Sequence, residues 1–357
     1  MTVDDSVVQF DELISNYIND INKLLRYRTS NKALFRLKSE FSSLLMAMDM
    51  SGIQVHIPDR FLANLERCND EVIDRKIRDA FVDTYDKNFE YNLRVADISD
   101  ELYSIFGDGY ILHYHKPVSM KDVVKISGDF FDYYDKDLKK FYDKKINENK
   151  LYLVDTREYP YDEMTFPIPS QKDSFILSGY DGTINSCMTL VHEFIHGYIE
   201  ERKNENFEEA IKGFVNSLGE TYPKFIEYVF IQYLHDINFF DKEIRALEVN
   251  GDVNLMTFLD EYKTQLTFLD GLEIYKDDEL FFNFIDTEKY TYGQLIGYQY
   301  FQKYLKDPNR VKDNIYEFSM EDGKYDRGYL LNNYGLTKKQ ITNTKKLVKD
   351  MKRHFKY

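Results

Sequence analysis

The segment at residues 188–199 (MTLVHEFIHGYI) constrains this chain most, because apolar residues at helical spacing surround a His-Glu-x-x-His motif. His192 and His196 are four residues apart, about one helical turn, so a helix places both imidazoles on one face. Two imidazoles so placed can bind one metal ion. Glu193, beside the first of them, then stands over the metal as a general base that takes a proton from water. We predict a single zinc ion, since imidazole suits zinc.

Catalytic zinc sites use a third protein ligand, which must come from elsewhere in this chain. Positions 199 and 202 hold Ile and Arg, which excludes the longer motif with a third histidine. The carboxylates that follow are Glu208, Glu209, Glu220 and Glu227. The first two come too soon for a turn and a returning helix. Residues 217–220 (SLGE) resemble a helix start, so we predict Glu220 as the ligand, with capping of its own helix as the structural alternative.

Composition narrows the possible partners and the compartment. The chain has 62 acidic and 47 basic side chains, a net charge of −15. This balance argues against nucleic acid and anionic membranes, which require a basic surface. Two distant cysteines form no disulfide framework, no apolar run reaches 18 residues, and the N-terminus lacks the features of a signal peptide. We therefore expect a reduced, soluble, cytoplasmic protein.

Hydrophobic periodicity predicts a mainly α fold with a small β-sheet next to the helix that carries the motif. Helices are expected over 10–25 and 34–48, after Pro58, from the capping box at 119–122 to about Phe141, and from about residue 185 onward. Strands are expected at 151–155 and 174–180. A glycine turn at 107–109 suggests two domains, 1–115 and 116–357. We interpret the second strand as an edge strand whose Ser178 and Gly179 pair with an extended substrate.

Three segments in order resemble the thimet oligopeptidase and oligoendopeptidase F family of zinc metallopeptidases. They are residues 175–183 (FILSGYDGT) before the motif, 220–227 (ETYPKFIE) after it, and 290–297 (YTYGQLIG). The resemblance implies a zincin-like helical metallopeptidase fold, zinc ligands His192, His196 and Glu220, and Glu193 as general base and acid. It also implies that late tyrosines hold the substrate and stabilise the oxyanion. Tyr290 and Tyr292 are the candidates for oxyanion stabilisation and Tyr298 for substrate binding.

The function that the resemblance implies is zinc-dependent hydrolysis of short, unstructured peptides. The chain would then be a metalloendopeptidase with peptides as its partners, and neither nucleic acid nor a membrane. The alternative is a member of the same fold with narrow specificity, or a peptide-binding member with little turnover. Glu193 separates these functions, because a binding protein needs the metal ligands but no general base.

Overall fold

The computed structural model describes residues 71–355 apart from 108, 158–163, 169–172, 204–206 and 270–277, with a few isolated positions before residue 71. Its contacts divide the chain into two compact units. One contains residues 1–77 and 118–203, and the other contains residues 78–117 and 204–357. The helices predicted before residue 70 lie outside the described residues, so the division at residue 115 stays a prediction.

The described part is mainly helical, with one small sheet, as the periodicity predicts. In chain order its elements are α1 (Glu71–Phe106), α2 (Met120–Tyr134), α3 (Lys136–Asn147), β1 (Leu151–Asp155), β2 (Met164–Ile168), β3 (Asp173–Tyr180), α4 (Asn185–Glu200), α5 (Phe207–Asn216), α6 (Thr221–Asp236), α7 (Asp241–Leu269), α8 (Asp278–Tyr304), α9 (Pro308–Glu321), α10 (Arg327–Asn333), α11 (Lys338–Ile341) and α12 (Lys345–His354).

The helix predicted from residue 119 to about Phe141 is two helices in the structure. Ser119 caps α2 as expected, its hydroxyl accepting from the Asp122 main-chain nitrogen. At Asp135 the backbone becomes extended, and the carboxylate accepts from the main-chain nitrogens of Asp137 and Leu138. This local capping ends α2 and begins α3, although the apolar pattern continues across the break.

The sheet has three described strands in the order β1-β3-β2, with β1 parallel and β2 antiparallel to β3. The strands predicted at 151–155 and 174–180 are confirmed as β1 and β3. The strand β2 was not predicted, because Pro167 argues against a strand unless it lies at a sheet edge, as it does here. The interpretation of β3 as an edge strand is therefore wrong, since β3 lies between the other two.

Helix α4 packs closely against β3. At Gly197 an added Cβ would lie 2.9 Å from the Ser174 hydroxyl oxygen and 3.3 Å from Ile176 Cδ1. On another side of α4, the ring of Phe194 lies 5.5 Å from that of Phe131 and 4.8 Å from that of Tyr142, between ring centroids. The helix is therefore held between the sheet and the aromatic residues of α2 and α3, which fixes the direction in which its polar side chains point.

A buried ion cluster ties the C-terminal end of α4 to the sheet. Lys145 is 0% exposed, and its ammonium donates to Asp173 Oδ1 (2.7 Å) and the Ser174 carbonyl oxygen (2.6 Å) and contacts Glu201. Burial alone would raise the pKa of Asp173, but hydrogen bonds from Lys145 and Lys150 lower it to about 2. The cluster therefore holds ionised groups where α3, β3 and α4 meet.

In the second unit, α8 packs against α6 at two glycines that admit the helix backbone. An added Cβ at Gly293 would lie 2.5 Å from Glu220 Cβ, and one at Gly297 would lie 2.8 Å from the Phe225 main-chain nitrogen. Only residues without a side chain fit at these two positions, which are one turn apart. The resemblance segment at 290–297 therefore has a packing role that its sequence does not reveal.

A second buried ion pair lies in the core of this unit. The guanidinium of Arg327 donates to both oxygens of Glu288 at 2.9 and 2.8 Å, and both side chains are 1% exposed. Ser217 also donates to Glu288 (2.7 Å), and Tyr262 donates to it at 3.3 Å. These donors compensate for burying the carboxylate. Among the described helices, none is long and apolar enough to cross a membrane.

Candidate metal centre

The motif residues lie on α4, which begins after a turn built by Asp181. The Asp181 carboxylate accepts from the Thr183 main-chain nitrogen (2.8 Å) and from the Ser186 hydroxyl (2.7 Å). Gly182 in this turn has a φ of +81°, which a residue with a side chain rarely adopts. This turn fixes where α4 begins, and it sets the register in which His192, Glu193 and His196 emerge.

The structure brings the three motif side chains together. The Nε2 atoms of His192 and His196 are 3.2 Å apart, and Glu193 Oε1 lies 3.9 Å from His192 Nε2. One ligand atom from each of these residues lies within 4.8 Å of the others, and among the described residues this is the one His/Cys/Asp/Glu group so arranged. His192 and Glu193 are 8% and 6% exposed and thus largely shielded from water, whereas His196 is partly exposed.

The histidine pair fits a zinc ion. Two nitrogens that bind one zinc at about 2.0–2.1 Å and a near-tetrahedral angle lie about 3.3 Å apart. The observed separation of 3.2 Å agrees with this value. Glu193 lies beside the pair with its Oε1 turned toward His192, as a base next to the metal requires. The residues present in the first unit therefore suit the predicted metal.

A threonine that the sequence did not single out contacts the predicted base. Thr165 Oγ1 lies 2.7 Å from the main-chain oxygen of Glu193 and 2.9 Å from its Oε2. Thr165 belongs to β2. Because the sequence analysis does not predict this strand, it does not predict a contact between Thr165 and Glu193 either. The signal available was the alternation of apolar residues at 164, 166 and 168, which is typical of a strand and places Thr165 between them.

Glu220, the predicted third ligand, lies in the second unit immediately before α6. The helix start expected near 217–220 is confirmed: Glu220 occupies the N-cap position of α6, and its main-chain oxygen accepts from the Lys224 main-chain nitrogen, but its carboxylate makes no capping hydrogen bond. Its side chain is buried, with Oε1 at 3.4 Å from Lys289 Nζ. Burial lowers the pKa of Lys289, but the neighbouring Glu220 raises it, and the net shift is upward. The role of Glu220 as a ligand stays a prediction.

The three predicted tyrosines on α8 have different surroundings. Tyr292 is 0% exposed and its hydroxyl donates to Asn92 Oδ1, while the buried Tyr298 donates to Asp350 Oδ2 at 2.7 Å. Both hydroxyls hold the core of the second unit, which argues against the substrate roles predicted for them. Tyr290 is half-buried, stacked on Phe258 with 5.0 Å between ring centroids. We retain Tyr290 as the candidate for oxyanion stabilisation.

The predicted substrate-binding residues Ser178 and Gly179 lie inside the sheet. They are paired with Leu153 and Val154 of β1, and Ser178 is 0% exposed. On the other side of β3 the described pairing with β2 extends from Asp173 to Leu177. The Ser178 hydroxyl makes no hydrogen bond with any described residue. Pairing of a substrate along the β1 side is therefore excluded for these two residues.

Comparison with known proteins identifies the fold. No protein-family model matches the sequence, and no curated protein sequence matches it. Among solved structures, a protein described as an oligoendopeptidase F from Bacillus anthracis str. Ames superposes with a TM-score of 0.55 at 13% identity, over 90% of this chain and 65% of that one. PZ peptidase A with an inhibitor and another oligoendopeptidase F match at 11% and 12% identity, each with a TM-score of 0.49.

The first of these matches shows that the chain has an oligoendopeptidase fold. The fold implied by the resemblance is thereby confirmed. The chain spans less than two thirds of the length of the Bacillus anthracis structure. The superposition shows the fold alone, because the identity is only 13%.

Proposed function

We propose that this protein is a zinc-dependent endopeptidase that hydrolyses short, unstructured peptides. The observation that carries the proposal is the arrangement on α4, where His192 and His196 have Nε2 atoms 3.2 Å apart and Glu193 turns Oε1 toward them. In a site that only binds peptides, a buried carboxylate beside the two imidazoles would have no chemical task. The fold shared with oligoendopeptidase F supports the substrate class.

His192 and His196 would hold one zinc ion, with Glu220 as the third ligand on the grounds of its spacing in the sequence. Zinc bound there would polarise the peptide carbonyl and make a water molecule more acidic. Glu193 removes a proton from the attacking water as its oxygen bonds to the carbonyl carbon. The same carboxyl group then delivers that proton to the leaving nitrogen as the carbon–nitrogen bond breaks. Tyr290 would donate a hydrogen bond to the oxyanion.

A mixed pool of quenched fluorescent peptides, five to fifteen residues long, tests this proposal. We expect cleavage that a zinc chelator abolishes and added zinc restores. A stably folded protein that contains the best peptide sequence should be cleaved much more slowly than the free peptide. Cleavage that persists after metal removal would contradict the metallopeptidase mechanism, and equal cleavage of the folded protein would contradict the substrate class.

The alternative function, peptide binding with little turnover, is favoured by one observation. The carboxylate of Glu220 lies 3.4 Å from the Lys289 ammonium, and this cation would compete with a metal ion for the ligand. Binding of the same peptides without cleavage, at full zinc occupancy, would support the alternative. Replacing Lys289 with Met tests the competition directly. If the Lys289 ammonium competes with zinc for Glu220, the variant should bind zinc more tightly than the wild type.

A further inference from the structure

The two carboxylate oxygens of Glu193 have different surroundings. Oε1 lies 3.9 Å from His192 Nε2, on the side of the imidazole pair. Oε2 lies 2.9 Å from the Thr165 hydroxyl, on the side of the sheet. One oxygen is thus turned toward the predicted metal, while the other is anchored to a neighbouring strand.

The Thr165 hydroxyl is itself fixed in place. The hydroxyl carries one hydrogen, which is shared between the Glu193 main-chain oxygen at 2.7 Å and Oε2 at 2.9 Å, so both of its acceptors belong to one residue. The backbone of Thr165 is held opposite Ile176 in the central strand β3. A threonine side chain rotates about one bond, and branching at Cβ restricts that rotation. The hydroxyl therefore offers Glu193 a rigid contact on its sheet side.

We propose that Thr165 is a positioning residue for Glu193, an inference that rests on the proposed function. It holds Oε2 so that Oε1 remains directed at the water that attacks the peptide. The terminal torsion of a glutamate is broad and has little preference of its own, so an external contact is needed to define the direction of the carboxylate. Thr165 does not touch the substrate in this role and acts through Glu193 alone.

The effect of removing the hydroxyl follows from the loss of one hydrogen bond. A hydrogen bond of a strength between that of a neutral pair and that of a pair with a charged acceptor changes the population of the held orientation by about 5- to 30-fold. We therefore expect the Thr165→Val variant to lower kcat by about this factor and to leave KM within about twofold, since substrate binding is unaffected. Zinc content should be unchanged, because both imidazoles remain in place.

The experiment compares the Thr165→Val and Thr165→Ser variants, each alone and in a Glu193→Gln background. We expect serine, which keeps the hydroxyl, to restore kcat to within about threefold of the wild type. In the Glu193→Gln background, valine should lower the residual turnover no further. Thr257→Val is the matched control, because the Thr257 hydroxyl donates at 3.0 Å to the Val253 carbonyl of its own helix. Zinc content and the urea midpoint are measured for every variant.

Several results would overturn the positioning role. They are an unchanged kcat in Thr165→Val, a loss in Thr165→Ser as large as that in Thr165→Val, or a further loss in the Glu193→Gln background. A fall in kcat that is matched by lost zinc would show a structural role instead. A wild type that cleaves no peptide refutes the proposed function, whereas a wild type and a Thr165→Val variant of equal kcat refute the positioning role alone.

Discussion

Replacing two helical glycines by alanine should change stability in opposite directions. Gly251 lies within α7 and Gly297 within α8. Alanine favours a helix over glycine by about 1 kcal/mol, so the intrinsic gain is the same at both positions. The surroundings differ, because an added Cβ meets no heavy atom within 4 Å at Gly251. At Gly297 it would lie 2.8 Å from the Phe225 nitrogen and 3.1 Å from the Lys224 carbonyl carbon.

The magnitude follows from what must move. At Gly251 nothing moves, so Gly251→Ala should stabilise the protein by about 0.5–1 kcal/mol. At Gly297 the obstacle is the backbone of α6, which cannot rotate aside as a side chain can. Overpacking of this kind costs about 2–3 kcal/mol, which exceeds the helical gain. Gly297→Ala should therefore destabilise by about 1–2 kcal/mol, and the two variants should differ by about 2–3 kcal/mol.

Urea unfolding followed by far-ultraviolet circular dichroism measures this difference as a shift of the midpoint at constant slope. Gly293→Ala provides a second test, since its Cβ would overlap Glu220 Cβ at 2.5 Å and should destabilise at least as much as Gly297→Ala. Equal stabilisation by all three substitutions would refute the close approach of α8 to α6. A destabilising Gly251→Ala would refute the assignment of free space at that position.

Three further predictions concern buried polar groups. Lys145→Met should destabilise by about 2–4 kcal/mol by leaving the Asp173 and Glu201 carboxylates without their shared cation, whereas Lys140→Met, at an exposed pair, should leave the urea midpoint unchanged. The pKa of Asp173 falls from 3.8 to about 2 on folding. Its contribution to the free energy of unfolding is therefore present above pH 4 and is lost as the pH falls toward 2. Allowing for solvent screening, acid titration of the urea midpoint should show about 1–2 kcal/mol from this group, absent in Asp173→Asn. Tyr292→Phe should destabilise by about 1–2 kcal/mol by leaving the Asn92 oxygen unpaired, again measured in urea.

The parts of the fold that could be predicted are those encoded locally. The His-Glu-x-x-His helix, the strands β1 and β3, and the capping of α2 by Ser119 each depend on residues within one element. The break at Asp135 was missed because the apolar period continues across it, and a single capping side chain decides the outcome. The spacing of apolar residues does not show whether a polar side chain will cap a new helix or the first helix will continue through it.

The roles of individual side chains depended on contacts that are distant in the sequence. Tyr292 bonds with Asn92, 200 residues earlier, and Tyr298 bonds with Asp350, 52 residues later. Neither partner stands in a recognisable motif. Thr165 was missed for a related reason, because its partner lies 28 residues away on another element. The sequence identifies residue types suited to chemistry, whereas the packing decides which hydroxyls remain available for it.

The most direct test of the central claim is the turnover of Glu193→Gln at full zinc occupancy. Glutamine preserves the size of the side chain but cannot take a proton from water. We predict that kcat falls by about 10²- to 10⁴-fold while the zinc content equals that of the wild type. Glu200→Gln, on the same helix, serves as the control and should retain wild-type turnover. Undiminished cleavage by zinc-loaded Glu193→Gln would contradict the assignment of Glu193 as the general base.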